Sequence, residues 1–559
     1  MNTLMQSFCR GKWRDMVQSR TLSVPIRFGK IAFVDECDVA DVIVTLCQQH
    51  VVAPWDAKEI SVTGPEPITF PQAADILSNK LQQVIRHSYF PIWAMQPALW
   101  IRGLRPEEIA NEIGMALCAV YTNLRALFSS NPISKRMLRQ VEPKKVSGIA
   151  GNPVDADALI QARGIVEDVE KNGLSALYAH AIRLGDLNTS DNASPPIILT
   201  PKDMENAFEK LSVEEQSLLQ RTASRIETFA KLQRNSIHSF EHSIDGGIIA
   251  QDIAPMCTAG CYAPGGRYPL PSSVLMTAIT ARAAGVQTVI VASPRPTLCT
   301  LAAAHVAKAD SFLIIGGAQA IAAMAYGVGV PACDIIVGPG NKWVTAAKSL
   351  VNGKCAIDML AGPSECLVLA DETANAQIIA SDLLAQAEHD TVAVPILVST
   401  SQKLIDQVNC ALIGQLETLS TRNIANESIR SGFAVKCAEM KSAIAIANEL
   451  APEHLEVCTE NAMDVAKQMQ HYGAMFIGTL AAEVFGDYGA GPNHVLPTGR
   501  TAKHTGGLSV HTFLRIRTWM RIDDVSEAQP MIRDAVQLAR MEGLEGHARS
   551  AEMRLEKSL

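Results

Sequence analysis

The sequence predicts an α/β protein whose sheets are largely parallel, and three observations carry that prediction. Short apolar runs rich in β-branched residues recur between residues 245 and 400: VQTVIVAS, SFLIIGG, CDIIVGPG, ECLVLAD and AVPILVST. Several end in Gly, Ser or Asp and lead into a helical pattern, which is typical of βαβ units with both sheet faces covered. Ala and Gly are plentiful while aromatic residues make up only 5% of the chain, a composition common among α/β enzymes.

Bulk properties limit the class of protein further. A chain of 559 residues exceeds what one hydrophobic core usually serves, so about two to four domains are expected. The formal charge of −8 gives no indication of binding to nucleic acid or to an anionic membrane. No apolar stretch approaches the roughly 20 residues that span a bilayer. The thirteen cysteines are scattered singly, which indicates reduced thiols in a cytosolic or organellar interior, and a cytoplasmic location is expected.

The segments on either side of residues 245–400 show other sequence patterns. Residues 1–128 contain a short apolar strand that runs into a helix near Asp38, then a second strand, a Gly-Pro turn and a helix. A polar stretch at 129–150 is expected to be a linker or a docking arm, and helical patterns dominate from there to about residue 240. The C-terminal part holds a strand candidate, GAMFIGTL, a glycine-rich loop, FGDYGAGPNHVLPTG, and one closing helix.

Ligands of parallel α/β folds bind at the carboxyl ends of the strands, so the turns that follow the strands were considered first. Gln319 and Asn341 lie in GGAQAIAAMAYG and GPGNKWVTAAK, where glycines precede a helix, and Ser272 and Ser273 are expected to cap the helix after YAPGGRYPLP. Helix N-termini of this kind bind anions. None of these turns has the spacing of the dinucleotide fingerprint, so an ordinary structural turn remains the alternative.

Two further patterns suit proton transfer. LAPEHLEV holds the adjacent Glu453 and His454, a carboxylate and an imidazole that could exchange protons near neutral pH; a chance pair at the start of a helix is the alternative. Asp487 and His494 lie in the glycine-rich loop, where a functional loop and a plain turn are both open. Glu542 and His547 lie near the end of the chain, where a solvated helix face is the simpler interpretation.

The segment SDLLAQAEHD predicts the C-terminal end of a helix that begins near Thr373. Gln386 and His389 are three residues apart, so they project from the same side of that helix. Such a pair could hold one metal ion, and a carboxylate such as Asp487 with a second histidine could complete a zinc site. An ordinary amphipathic helix is the alternative, because spacing does not show that these residues meet.

From about residue 150 to 559 the chain resembles the histidinol dehydrogenases. The matching segments occur in the family's order with similar spacing: YAPGGRYPLPSSVLMTAITARAAGV, GGAQAIAAMAYG, VGPGNKWVTAAK, IDMLAGPSE, SDLLAQAEH, APEHLEV, GDYGAGPNHVLPTG and EGLEGHARS. The resemblance implies a body at 151–559 with two Rossmann-like parallel-sheet domains. Within that body, 262–363 would be an inserted NAD-side domain and 506–559 a small helical segment swapped between the subunits of a homodimer.

The resemblance also implies roles for particular residues. One zinc per subunit would be bound by Gln386, His389, Asp487 and His547, the last from the other subunit. Glu453 and His454 would be the acid/base groups. The NAD-contacting positions would be Tyr262, Gln319 and Asn341. The substrate-contacting positions would be Ser364, Gln386, His389, Glu453, Asp487, His494, Glu542 and His547.

The implied reaction is the four-electron oxidation of L-histidinol to L-histidine through bound L-histidinal, with two NAD, at the end of histidine biosynthesis. Two alternatives remain open. The segments TGGLSVHTF and MEGLEGHARSAE look similar to histidinol-dehydrogenase-like enzymes that oxidise other polar alcohols such as sulfonated propanediols, although GPNHVLPTG is closer to the histidine enzymes. A non-enzymatic redox-sensing or interaction protein is the third possibility.

Residues 1–128 do not resemble that family. GKIAFVDECDVADVIV, VTGPEPITFPQAADILS and RGLRPEEIANEI look like the C-terminal half of an NmrA-like atypical short-chain reductase. The half that carries the glycine-rich dinucleotide turn has no counterpart in this sequence. This truncated α/β segment is therefore predicted to lack catalysis of its own.

Overall fold

The computed structural model describes residues 137–149, 154–187, 196–265 and 268–555, together with four short strands nearer the N-terminus. The chain divides into two compact units, Met1–Lys135 and Arg136–Leu559. In the first unit, β1 (Thr21–Val24) pairs in parallel with β4 (Arg86–Tyr89). The strands β2 (Ile31–Ala32) and β3 (Pro67–Ile68) pair in antiparallel fashion. The helices expected in residues 1–128, and most of the NmrA-like resemblance, lie outside the described residues, so that resemblance remains a prediction.

The second unit alternates strands and helices. Its strands are β5 (Arg139–Val141), β6 (Ile198–Leu199), β7 (Phe240–Ile244), β8 (Gly247–Pro255), β9 (Thr258–Tyr262), β10 (Thr288–Ala292), β11 (Ser311–Leu313), β12 (Ile335–Val337), β13 (Ala356–Ile357), β14 (Glu365–Ala370), β15 (Val394–Ser399), β16 (Phe433–Lys436), β17 (His454–Cys458), β18 (Ala474–Ile477) and β19 (Leu514–Ile522). Its helices are α1 (Ala156–Arg183), α2 (Pro201–Glu209), α3 (Val213–Arg234), α4 (Pro271–Ala284), α5 (Leu298–Val306), α6 (Gly317–Tyr326), α7 (Lys342–Val351), α8 (Ala376–His389), α9 (Gln402–Leu416), α10 (Arg422–Ser431), α11 (Met440–Leu450), α12 (Ala462–Ala466), α13 (Glu483–Tyr488), α14 (Gln529–Met541) and α15 (Glu545–Glu552).

Two six-stranded sheets repeat one topology. The first has the order β13-β12-β9-β10-β11-β6 and the second the order β18-β17-β14-β15-β16-β5. In each sheet a central strand (β9 or β14) is followed along the chain by two strands added on one side of it, and then by two strands added on its other side. The strand that comes first along the chain (β6 or β5) forms the edge next to β11 or β16. All pairs are parallel except β11 with β6. The predicted α/β class with two parallel sheets is confirmed, and all six predicted strand runs form strands.

Helices cover both faces of each sheet, which explains the continuous apolar runs in the strands. Residues on one face of the first sheet pack with α4 and α5 in one cluster, and those on the other face pack with α1, α6 and α7 in a second. The second sheet is likewise enclosed by α8, α9 and α10 on one face and by α11 on the other. Alanine is abundant because the helices lie close to the strands; from Ala318 to Ala325 every residue of α6 is buried.

The C-terminal part differs from the sequence prediction in two ways. The strand β19 joins β8 and β7 in a three-stranded antiparallel sheet that the periodicity did not indicate. The prediction of a single closing helix is wrong, because the chain forms two helices, α14 and α15. Between them Gly543 adopts a φ of 77°, a conformation that breaks a helix and favours glycine. In the described part of the chain, no helix combines the length and apolar character needed to cross a membrane.

Candidate active site

The helix α8 brings Gln386 and His389 to the amino edge of the second sheet. It connects the carboxyl end of β14 to the amino end of the parallel strand β15, so it runs antiparallel to both. Asn375 caps its start by accepting a hydrogen bond from the backbone N–H of Gln377 at 2.9 Å. The predicted geometry is confirmed: both side chains lie in the last turn, with Gln386 fully buried and His389 exposed over 37% of its side chain.

The acid/base pair lies at the same edge. Glu453 precedes β17 and His454 is its first residue, and the neighbouring strand β14 begins at Glu365 in the adjacent register. The predicted acid/base residues of this sheet therefore lie at the amino ends of its strands, whereas ligand-binding groups were expected after the carboxyl ends. The chain places these groups before the strands β14 and β17, on either side of the point where the strand order reverses.

The helix α13 supplies two carboxylates. After β18 the chain reverses, and the backbone N–H of Glu483 donates to Glu456 Oε1 at 2.8 Å. Asp487 follows one turn later, with Oδ1 at 3.6 Å from His454 Nε2 and Oδ2 at 3.8 Å from His389 Nε2. Glu483 Oε1 lies 3.8 Å from His454 Nδ1. The imidazole of His454 is thus enclosed by the two carboxylates of α13 and by that of Glu453, just before β17.

Hydrogen bonding determines which nitrogen of His454 carries a proton. Its Nδ1 lies 3.1 Å from the backbone carbonyl oxygen of Glu365, and a carbonyl oxygen only accepts, so Nδ1–H is the donor. Nε2 is buried without a hydrogen-bond partner. Burial alone would lower the pKa of His454, but Glu483, Glu453 and Asp487 raise it well above the ordinary value.

The carboxyl of Glu453 is held by the neighbouring strand. Its Oε2 accepts a hydrogen bond from the backbone N–H of Glu365 at 2.9 Å, and the side chain is almost fully buried. Burial raises the pKa of Glu453 to about 8, against the lowering effect of His454. Burial also raises the pKa of Glu365 to about 7, while the N–H of Gly499 lowers it. A carboxyl with a pKa close to neutral pH is suited to both accepting and releasing a proton.

The donor set suits a zinc ion. His389, Glu483 and Asp487 each offer a ligand atom within 4.8 Å of the others. Both amide atoms of Gln386 are buried without a hydrogen-bond partner, which is costly unless a ligand engages them. The separation between His389 Nε2 and Asp487 Oδ2 is too long for a hydrogen bond but suits two atoms bound to one zinc. Burial alone would raise the pKa of Asp487, yet the nearby imidazole of His454, with Nε2 3.6 Å from Oδ1, holds it below the ordinary value.

His494 connects this edge to the first sheet. Its Nδ1 donates to the backbone carbonyl of Asp487 at 3.0 Å, and its Nε2 lies 3.2 Å from the hydroxyl of Ser273 on α4. Burial lowers the pKa of His494, so the neutral ring accepts from that hydroxyl. The expected capping of α4 by Ser272 and Ser273 is wrong, because the helix begins at Pro271 without a side-chain cap and Ser273 bonds to His494.

The carboxyl edge of the first sheet carries Tyr262, Gln319 and Asn341, where the strand order reverses between β9 and β12. Tyr262 ends β9, and its hydroxyl accepts a hydrogen bond from Gly317 N–H at 3.1 Å. Gln319 lies in the first turn of α6. Asn341 caps α7 by accepting from the N–H groups of Trp343 and Val344. In doubly wound sheets this reversal point is where cofactors bind.

Two sequence-predicted positions, Glu542 and His547, stand apart from the cluster, and a third, Ser364, directly precedes Glu365 in the chain. Ser364 is half-buried just before β14, and its carbonyl accepts from Val394 N–H. Glu542 and His547 are exposed, between α14 and α15 and within α15 respectively. Neither belongs to the group of potential ligands that a single chain brings together in its described part.

Sequence reasoning missed Glu365 and Glu483, which surround the predicted pair. Glu483 could have been found, because it stands four residues before Asp487 and therefore on the same side of a helix. Glu365 offered no such signal, since its contribution to His454 is a backbone carbonyl. Glu388 lies between Gln386 and His389 in the sequence, and its carboxylate accepts a hydrogen bond from the Thr421 hydroxyl at 2.6 Å.

An imidazole–carboxylate pair beside a metal-suited ligand set, with a second doubly wound sheet suited to a cofactor, is typical of an α/β oxidoreductase. The family model for histidinol dehydrogenase matches residues 152–555, and the chain belongs to the histidinol dehydrogenase family. It is an NAD-dependent enzyme that oxidises histidinol to histidine, as the sequence motifs predicted.

Individual relatives agree with this assignment. The histidinol dehydrogenase of Neisseria meningitidis is 41% identical over 397 residues, which cover 70% of this chain and 92% of the relative. That of Cupriavidus pinatubonensis is 38% identical over 445 residues, covering 78% and 98% respectively. The crystal structure of histidinol dehydrogenase from Elizabethkingia anophelis is similar with a TM-score of 0.70 and 29% identity, covering 76% of this chain and 99% of that one.

Proposed function

We propose that this chain converts L-histidinol to L-histidine through L-histidinal that stays bound, with two NAD⁺ used in turn and a zinc ion bound in each subunit. The observation that carries the proposal is the convergence of Glu453 and His454 with Gln386, His389 and Asp487 at one edge of the second sheet. Proton-transfer groups and metal ligands have to meet the same substrate for this reaction, and here they come from three separate parts of the chain.

His454 is proposed as the base that takes the alcohol proton. Its Nδ1–H is engaged with the Glu365 carbonyl, so Nε2, which lies 3.6 Å from Asp487 Oδ1, is the nitrogen that exchanges a proton with the substrate. As the substrate's hydride departs to the cofactor, Nε2 accepts the hydroxyl proton. The same nitrogen assists the second oxidation, which starts from the hydrate of the aldehyde.

Glu453 is proposed to activate the water that attacks the aldehyde. Its buried carboxyl has a pKa of about 8, so it accepts a proton near neutral pH more readily than an ordinary glutamate. The hydrogen bond from Glu365 N–H fixes its orientation. Keeping the aldehyde bound between the two oxidations protects a reactive intermediate from the solvent.

Zinc would be held by Gln386, His389 and Asp487 of one chain and by His547 of the partner subunit. It would supply an anchor for the substrate's nitrogen atoms and so fix the position of the reacting carbon. Ser364, His494 and Glu542 of the partner subunit are proposed as further substrate contacts. Tyr262, Gln319 and Asn341 are proposed to contact NAD at the carboxyl edge of the first sheet.

A homodimer with shared active sites is part of the proposal. His547 and Glu542 lie outside the cluster in a single chain, on a C-terminal segment whose Leu538, Met541 and Leu544 are exposed. An apolar surface of this kind is typical of an interface between subunits. Cytoplasmic localisation is proposed with it, because histidine biosynthesis takes place there.

The N-terminal unit is proposed to lie outside the catalytic machinery. The family match starts at residue 152, and the unit that follows Lys135 is compact by itself. Deleting residues 1–128 should therefore leave the turnover of histidinol and the dimer intact. Loss of the dimer in this variant would contradict the proposal.

One assay tests the function. The zinc-loaded protein is supplied with L-histidinol or, separately, with dihydroxypropanesulfonate, and NADH formation is followed to completion. Two NADH per histidinol is the expected result. Turnover of the sulfonate alone would show that the substrate is another polar alcohol and not histidinol. If protein with bound zinc and NAD turned over neither compound, a non-enzymatic role would be favoured.

A further inference from the structure

The start of α6 is already occupied by side chains of the same chain. The backbone N–H of Gly316 donates to Asp186 Oδ2 at 3.0 Å, and that of Gly317 donates to the Tyr262 hydroxyl at 3.1 Å. An exposed helix N-terminus binds anions through such free N–H groups. Here they are engaged, so a phosphate of the cofactor would have to displace a carboxylate to bind them.

Asp186 also determines the orientation of Gln319. The Gln319 Nε2 donates to the same Asp186 Oδ2 at 2.9 Å, and a carboxylate oxygen only accepts, so the amide nitrogen must face it. The other amide atom, Oε1, is buried and has no hydrogen-bond partner, in a side chain that is only 1% exposed. Oε1 lies over Gly317, where an added Cβ would approach it to 2.8 Å. Leaving a buried acceptor without a donor costs free energy, which indicates that a ligand supplies the donor.

We propose that Asp186 is a positioning residue for the cofactor: it fixes the Gln319 carboxamide so that Oε1 accepts a hydrogen bond from an N–H or O–H donor of the dinucleotide. The inference rests on the proposed contact between Gln319 and NAD. It adds that this contact recognises a donor, namely the nicotinamide carboxamide, the adenine amine or a ribose hydroxyl, and that α6 does not bind the pyrophosphate.

The test is a double-mutant cycle on NAD affinity, measured by titration of the zinc-loaded protein without histidinol. Asp186→Ala should raise the Kd for NAD about three- to tenfold, the effect of one lost hydrogen bond, and leave kcat at saturating NAD unchanged. Asp186→Asn keeps an acceptor oxygen at the same place and should restore most of the affinity. In a Gln319→Ala background the Asp186→Ala change should have no further effect, because residues that act through one another are not additive.

A matched control separates this role from general stability. Asp334 accepts two backbone N–H groups, from Cys257 and Thr258, at the opposite edge of the same sheet. Asp334→Ala removes equivalent chemistry and should leave the Kd for NAD unchanged. A similar loss of NAD affinity in this variant would overturn the role of Asp186.

Cofactor analogues identify the donor. Nicotinamide hypoxanthine dinucleotide lacks the adenine amine, and 3-acetylpyridine adenine dinucleotide lacks the carboxamide N–H₂. The analogue that lacks the relevant donor should bind wild type and Asp186→Ala equally, and sensitivity of both analogues to the substitution would assign a ribose hydroxyl. Additive effects of Asp186→Ala and Gln319→Ala would overturn the inference alone. Unchanged NAD affinity in Gln319→Ala would overturn both the inference and the proposed Gln319–NAD contact.

Discussion

The Nδ1 of His454 lies 3.1 Å from the backbone carbonyl oxygen of Glu365, so the first residue of β17 is oriented by the first residue of β14. Because the donor is Nδ1–H, Nε2 is the ring nitrogen that faces Asp487, whose Oδ1 is 3.6 Å away. Glu365 N–H in turn donates to the Glu453 carboxyl. One residue of β14 therefore orients both proposed proton-transfer groups through its backbone, and this pairing depends on the strands being adjacent.

Replacing His454 by glutamine should lower kcat about 10²- to 10⁴-fold, the usual contribution of a general base. Zinc content should stay at the wild-type level, because His454 is not among the proposed ligands; it is measured by elemental analysis of the purified protein. His238→Gln, which changes an exposed histidine, is the control and should retain full activity. Loss of zinc from His454→Gln would show that its assigned role is wrong.

Gln386→Leu should separate metal binding from stability. The wild-type side chain buries two unsatisfied polar atoms, and each such group costs about 1–3 kcal/mol. In the metal-free protein an apolar side chain of similar size should therefore raise the free energy of unfolding, by about 1 kcal/mol or more. Zinc should stabilise the wild type, as any ligand of the native state does, and have little effect on this variant.

Urea unfolding with and without zinc measures both effects. The neighbouring Glu388→Gln provides the control: Glu388 bonds to Thr421 instead of facing the cluster, so this variant should keep its zinc response. A Gln386→Leu protein that still gains the full stabilisation from zinc would remove Gln386 from the ligand set.

The sequence was sufficient for the parallel sheets, since the apolar runs with their terminal Gly, Ser and Asp are local signals. The placement of Gln386 and His389 on one side of α8 also followed from helix periodicity. The edge of the second sheet at which these residues lie did not follow from any local pattern in the sequence. The predicted NAD contacts Tyr262, Gln319 and Asn341 do lie at the carboxyl edge of their sheet. Glu453 and His454 instead lie at the amino end of β17, and only the three-dimensional pairing of β14 with β17 reveals this.

Two other features could not be predicted from local patterns. The strand β19 (Leu514–Ile522) is far in sequence from β8 (Gly247–Pro255), and the two pair through long-range contacts that leave no periodic signature. The pairing of β7 with β8 did carry a local signal, because Asp245 and Gly246 form a two-residue hairpin connection between them. Asp186 lies 133 residues before Gln319, so nothing in the sequence marks it as a partner. The break between α14 and α15 did carry a signal, because Gly543 interrupts the helical pattern, and it was overlooked.

Gly486→Ala should disrupt the site through packing. A Cβ at this position would lie 2.7 Å from the ring of Phe476, and that ring stacks on His454 with centroids 6.3 Å apart. The added methyl group should cost about 1–3 kcal/mol of stability and displace α13, which carries Asp487. We expect both lower kcat and weaker zinc binding, measured by turnover and by titration with a zinc chelator.

Gly489→Ala is the matched control for that variant, since a Cβ there would meet the carbonyl oxygen of Phe485 at 3.6 Å, an ordinary contact. Gly489 lies three residues further along, just after the end of α13, and this variant should retain activity and zinc. Equal damage from both substitutions would indicate that this part of the chain tolerates no added methyl group at all, and the argument from the Phe476 contact would fail.

Glu456 should make the stability of the protein depend on pH. It is fully buried, and burial followed by the charge of Asp382 raises its pKa from 4.5 to about 8. Between those two values the folded state binds more protons than the unfolded state, so the free energy of unfolding should fall as pH rises across that window.

Glu456→Gln resembles the protonated glutamate and keeps the Oε1 that accepts from Glu483 N–H. Its urea midpoint should therefore vary less with pH and exceed that of the wild type above the raised pKa. Glu460→Gln, at an exposed position just beyond the end of β17, should follow the wild-type curve. Parallel pH curves for wild type and Glu456→Gln would show that another group dominates the titration.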